Sequence, residues 1–198
     1  MAQVMQFKCP NCGDKLTPDM TECPSCYGPV FITTFDSVNK MSTLDLNKYA
    51  FGYNKALSED PNNIDLNTSV AMCYLKLKLY DKAIPAFGKA TDGNFENSEA
   101  YFYAAVAMLQ GKKAFVHQRP TIDKILEYLN AAIMIEPRGI YYYFMAYIKY
   151  DYFARKYFNV SPNYQEVLKQ AVQTGVSPHD ANQLFELLGV EKPSCLQI

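Results

Sequence analysis

Alanines and aromatic residues recur in this chain at a 34-residue interval, and that interval constrains the fold more than any other feature. Ala56 and Ala90 are 34 residues apart, as are Tyr53 and Phe87, Ala71 and Ala105, and Tyr74 and Met108. A fixed period of this length comes from a supersecondary unit that repeats. The matched positions fall in both halves of such a unit, so the spacing predicts two helices per repeat. The stretch 80–90, Y-D-K-A-I-P-A-F-G-K-A, holds the pattern at its densest. Where two helices cross closely, alanine lets the axes approach, and an aromatic such as Phe87 fills the gap beyond the crossing.

These residues resemble the tetratricopeptide repeat family. Over 64–97 the resemblance runs through Ala71 and Tyr74 on a first helix, then Tyr80, Ala83, Phe87 and Ala90 on a second. It implies a mostly α fold, a stack of helical hairpins with about three repeats plus a capping helix. Proline in the turn after each unit belongs to the pattern, and Pro61 and Pro137 supply it, whereas the unit 64–97 has Phe95 there. Pro85 falls early in that unit's second helix, where it removes one backbone hydrogen bond and is expected to bend the start.

The beginning of the chain is of another kind. Cys9, Cys12, Cys23 and Cys26 form two C-x-x-C pairs, in F-K-C-P-N-C-G and E-C-P-S-C-Y-G. A two-residue gap lets one tight turn present two sulfurs to one metal, and four thiolates satisfy a tetrahedral zinc ion. The pattern resembles a short zinc ribbon and predicts one structural zinc. A rubredoxin-like iron site, a redox dithiol or no metal are the alternatives. A glycine after the second cysteine allows the positive φ of such turns; Gly13 stands there, but Tyr27 precedes Gly28 in the second pair, which is expected to alter that turn. The run 30–34, V-F-I-T-T, is β-branched and aromatic and reads as the ribbon's last strand.

The resulting division is a zinc ribbon over 1–34, a polar linker over 35–43, helical repeats over 44–177, and a capping helix with tail over 178–198. A first helix is expected from Leu44 to about Glu59, closed by Asp60-Pro61. In the third unit the period slips: residues 111–120, G-K-K-A-F-V-H-Q-R-P, displace Ile125, Leu129 and Ala132, so a solvated basic loop is expected at one edge, with an anion or partner contact as the sharper reading. The stretch 139–158 is crowded with aromatics on nearly every side, which predicts one long helix, mostly core, with an exposed aromatic remainder. A helix over 160–174, opened by Ser161-Pro162, and a last one opened by Ser177-Pro178 complete the chain.

A formal net charge of −1 supplies no excess to hold a phosphate backbone or an anionic membrane. Residues 1–31 carry Lys8 and Lys15 against Asp14, Asp19 and Glu22, so nothing basic accompanies the cysteines. No apolar run is long enough for a signal peptide or a membrane span, and paired thiols without an export signal fit the cytoplasm. Cys195-Leu-Gln-Ile has Gln197 in an aliphatic position and lacks the polybasic run of a prenylation signal.

The concave face of a helical-hairpin stack is lined by the first helix of each unit. Repeat register then places Met72, Phe102, Val106, Tyr141, Phe144, Ile148 and Tyr152 in a partner-binding groove suited to an apolar or aromatic peptide, or to a second copy of the chain. Family members that capture acidic chaperone tails use basic and amide groups at positions matching Thr34, Val38, Ser69, Glu99 and Tyr103, none of them basic here. His117 and His179 lie in no catalytic spacing and no phosphate loop occurs. The sequence therefore reads as a non-enzymatic adaptor that binds a protein partner, with a nucleic-acid- or ribosome-associated factor using the ribbon as the alternative.

Overall fold

A computed structural model describes residues 7–17, 20–32 and 34–198. The contacts divide the chain into two units, Met1–Asn94 and Phe95–Ile198. The fold is mostly α, with helical hairpins in both units and a small cysteine-bearing module opening the first.

In the first unit, β1 (Phe7–Lys8) and β2 (Lys15–Leu16) pair antiparallel. The helices α1 (Phe35–Asn39), α2 (Thr43–Leu57), α3 (Ile64–Lys76) and α4 (Tyr80–Thr91) follow. Caps fix two of the starts: Ser42 Oγ accepts from the Asp45 amide at 3.2 Å and Asn63 Oδ1 from the Leu66 amide at 3.0 Å, satisfying donors that a first turn leaves unpaired. Helix α3 packs against both α2 and α4 and is buried without a break from Leu66 to Leu75. Its polar residues survive there because each bonds one turn back, Thr68 Oγ1 to Ile64 O at 2.9 Å and Ser69 Oγ to Asp65 O at 2.7 Å. From α4, Ala83, Phe87 and Ala90 point inward, fully buried, while Pro85 sits on the exposed side and the helix continues through it.

Two expectations change in this unit. The stretch read as a polar linker contains α1, whose Phe35 and Val38 are buried, and α1 packs on α3. The run read as a last strand joins no ladder among its described residues; Thr33 lies outside them. Val30 and Ile32 are fully buried, the Ile32 amide donates to Ser69 Oγ at 2.8 Å, and Tyr53 Oη donates to Val30 O at 3.1 Å. Val30 packs with Cys9, Leu16 and Cys23, and side chains of α2 and α3 meet backbone groups at Val30 and Ile32 that a strand partner would have met.

The second unit holds α5 (Ser98–Met108), α6 (Arg119–Ile135), α7 (Gly139–Ile148), α8 (Tyr164–Gln173) and α9 (Pro178–Leu188). The residues inserted before α6 form one 3₁₀ turn, Ala114–Val116, that is tied down: the Phe115 amide donates to Asp151 Oδ2 at 2.8 Å and Ala114 is buried. Ile125, Leu129 and Ala132 line the buried side of α6. The aromatic stretch is not one uniform helix. Beyond Ile148 it widens into a π-type turn, Lys149–Phe153, then a 3₁₀ turn, Ala154–Lys156, and ends at Tyr157 with φ 59°. Helix α8 begins at Tyr164 instead of 160 because Asn163 and Glu166 cap each other's backbone, leaving Ser161-Pro162 outside. Ser177 and Asp180 do the same for α9.

Helix α7 packs against α6, α8 and α9. Tyr141, Tyr143, Phe144 and Tyr147 are each 1% exposed or less. Their hydroxyls find partners, Tyr141 with Ser98 Oγ at 3.0 Å and Tyr143 donating to Leu196 O at 2.6 Å. The exposed aromatics lie past the helix, at Tyr157 and Phe158.

Phe87 is fully buried at the α3–α4 crossing, so Phe87→Ala leaves a cavity and is expected to cost about 3–5 kcal/mol, read as a lower urea midpoint with an unchanged slope. A loss under about 1 kcal/mol would mean that this crossing does not hold the first unit together.

Candidate functional site

Two knuckles carry the four sulfurs, and the same two backbone bonds close each. The Gly13 amide donates to Cys9 O at 2.9 Å and the Cys9 amide to Asp14 O at 2.7 Å; the Tyr27 amide donates to Cys23 O at 2.9 Å and the Cys23 amide to Gly28 O at 2.9 Å. The residue after the second cysteine is left-handed in both, Gly13 at φ 80° and Tyr27 at φ 55°. The second turn is therefore not altered, contrary to the expectation from its displaced glycine. Tyr27 takes the conformation itself, at a cost of about 1–2 kcal/mol, with its ring mostly in solvent. Asp14 accepts a hydrogen bond from Ser25 Oγ, linking one knuckle to the other.

The four Sγ atoms lie within 4.8 Å of one another, with Cys9 to Cys26 and Cys12 to Cys23 both at 3.6 Å. A tetrahedral ion with metal–sulfur bonds of about 2.3 Å has sulfur–sulfur edges of about 3.8 Å. A disulfide needs about 2.05 Å, and all four are free thiols. Burial pushes the Cys9 thiol up to about 12. Burial opposes the Cys23 thiolate most, but hydrogen bonds from the amides of Cys26 and Ser25 and from the Cys9 and Cys12 thiols together bring that group down to about 7. Four thiolates this close need a cation to balance them. This cluster has the donor set and spacing to hold one metal ion.

The module is seated on helices of its own unit. Cys9, Leu16, Cys23 and Val30 form a small core. Against α2, a Cβ on Gly52 would stand 2.6 Å from Pro10 Cα, and Tyr49 and Tyr53 are buried. Only glycine lets the first knuckle rest that close to the helix.

The residues assigned by repeat register to a groove are placed otherwise. Met72, Phe102, Val106, Tyr141, Phe144, Ile148 and Tyr152 are each 5% exposed or less. They are interior, and the reading of them as an open partner surface is corrected on that ground. Phe102 shows why: its ring centroid is 4.7 Å from that of Tyr141 and 5.8 Å from that of Phe144. These rings pack against one another, tilted and edge-on, instead of facing an open groove.

His117 Nε2 lies 3.0 Å from Leu109 O and burial lowers its pKa; His179 is exposed at the start of α9. Neither joins the sulfur cluster. Two charged side chains that sequence reasoning did not single out are buried in the π-type turn. Lys149 Nζ donates to Pro162 O at 2.8 Å with its pKa depressed by burial, and Asp151 pairs with Arg155. Periodicity gave no signal for them, because a π-type turn shifts the register by one residue. Among the described residues no helix is long and apolar enough to cross a membrane.

Because thiols must lose protons to bind metal, the chain is expected to take up one divalent ion, with affinity falling at least about tenfold from pH 8 to pH 6. Competition against a chromophoric chelator measures this, and a pH-independent affinity would argue against a four-thiolate shell. Tyr27→Gly relieves the left-handed strain and is expected to raise stability by about 0.5–1 kcal/mol at unchanged metal stoichiometry, measured by urea unfolding of the metal-loaded chain.

Compared with known proteins, no family model matches this chain. No curated protein matches it. The solved structure named MamA MSR-1 C2 aligns with a TM-score of 0.47 at 20% identity, covering 71% of this chain and 68% of that one.

Proposed function

We propose that this chain is a non-enzymatic adaptor of the tetratricopeptide type. Its helical hairpins form the frame for binding a protein or peptide partner, and a structural zinc ion held by Cys9, Cys12, Cys23 and Cys26 staples the opening module to that frame. The observation that carries the reading is the closed sulfur cluster seated on a helix. Four thiolates fill a tetrahedral shell and leave no position for a substrate or activated water. The Tyr53–Val30 hydrogen bond and the Pro10–Gly52 approach make the module part of the first unit's packing. Free thiols suit a reducing compartment such as the cytoplasm. With the inner helix faces occupied by the protein's own side chains, the partner is met on outer surfaces and loops.

The test uses the full chain, because removing the module would strip α2 of its cover. Purified protein is assayed for metal, then used as bait in host lysate, with bound protein scored by mass spectrometry and nucleic acid by absorbance. One equivalent of zinc and specific retention of protein without nucleic acid are expected. Iron in the site would correct the metal. Nucleic acid retained with steep salt dependence would replace the adaptor reading with a ribbon-directed nucleic-acid factor.

A further inference from the structure

The residues inserted before α6 and the π-type turn that follows α7 meet in the second unit, and together they make a surface unlike the rest of the chain. The 3₁₀ turn Ala114–Val116 is pinned there by the Phe115 amide on Asp151. Around the Phe115 ring, Arg155 lies 4.5 Å and Lys156 4.9 Å from the centroid, and Lys156 also covers Tyr152 at 3.7 Å. Lys112 and Lys113 are exposed at the head of the same turn, and neither forms an ion pair among the described residues. Lys112, Lys113, Arg155 and Lys156 thus gather on this turn and the segment packed against it, in a chain of formal net charge −1, and of the four Arg155 pairs with Asp151. Arg119 pairs with Asp123 at 2.7 Å as Arg155 pairs with Asp151, so the charge left over at this surface is that of Lys112, Lys113 and Lys156, which form no ion pair among the described residues. Amid the cations, Val116 is 64% and Phe115 36% exposed.

We infer that Lys112, Lys113, Phe115, Val116, Arg155 and Lys156 form a docking surface for an acidic protein segment bearing an apolar side chain. The carboxylates of such a segment meet Lys112, Lys113 and Lys156, and its apolar group covers Val116 and the open edge of Phe115. Charge complementarity of this kind sets specificity and association rate. A nucleic acid fits the same surface poorly. Single strands bind by stacking bases on free aromatic faces, and here cations already stand over Phe115 and Tyr152. The segment's side chains are what is read, so a free carboxyl terminus is not required. The inference rests on the adaptor reading and adds the partner's chemistry and the place where it binds.

The test measures anisotropy of a fluorescein-labelled, C-terminally amidated peptide of aspartate and glutamate with two leucines, titrated with the full metal-loaded chain. Parallel titrations use the same peptide with leucines changed to serine and a single-stranded oligouridylate. The leucine-bearing peptide is expected to bind tightest. Lys112→Glu with Lys113→Glu should weaken it about tenfold or more, as should raising salt from about 0.05 to 0.3 M. Both lysines are exposed, so the variant is expected to keep the circular dichroism of the parent; Val116→Ser, at another exposed position, gives a second and uncharged check. Equal binding by parent and both variants would overturn the inference, as would tighter binding of the oligonucleotide or no binding of the peptide. If the doubly reversed chain still captures the lysate partner at full yield, this surface is wrong while the adaptor reading stands.

Discussion

In both units the closest packing is made where a side chain stops at one carbon or none. Ala71, Ala83 and Ala90 in the first unit, and Ala105, Ala132 and Ala146 in the second, have no exposed surface. A methyl group there sets the distance between helix axes, and any larger group has to push them apart. The bulky residues occupy what the alanines leave: Phe87 beside α3, and the rings of Phe102, Tyr141 and Phe144 against one another. The 34-residue interval is the trace of this steric rule in the sequence.

That is why the helices were legible and much of their connection was not. The alanine spacing placed Ala71 and Tyr74 on one helix and Ala83, Phe87 and Ala90 on the next, as α3 and α4 have them, and Ser177-Pro178 marked the start of α9, because close approach and capping each demand particular residue types. Turns made by unusual residues gave no such mark. Tyr27, Lys78, Gln110 and Tyr157 all stand at positive φ, where glycine is the ordinary signal, so the second knuckle looked irregular when its bonding repeats the first. The cysteine spacing showed the ligand set, whereas the seat of the module on α2 depends on Gly52 and Pro10, two residues with no pattern to connect them.

The aromatic stretch shows where counting faces goes wrong. Reading 139–158 as one helix misses the π-type and 3₁₀ turns beyond Ile148, whereas the exposed remainder it implies is found at Tyr157 and Phe158. The chain surrounds α7 with α6, α8 and α9 and gives the tyrosines polar contacts at their tips, on Ser98 and Leu196. Tyrosine suits a crowded interior for this reason: its ring fills volume and its hydroxyl satisfies a backbone or side-chain group that would otherwise be buried unpaired. The same crowding removes Phe102, Tyr141 and Phe144 from any open surface.

The close approach of Gly52 to Pro10 ties the sulfur cluster to a helix that contributes no sulfur. The grip on an ion is then not written in the cysteines alone. A single methyl added in the middle of α2 lifts the first knuckle and strains two ligands without altering any donor atom. Heritable loss of metal in such a chain would map to a helix, and the packing of that helix would in turn depend on how much metal its surroundings supply.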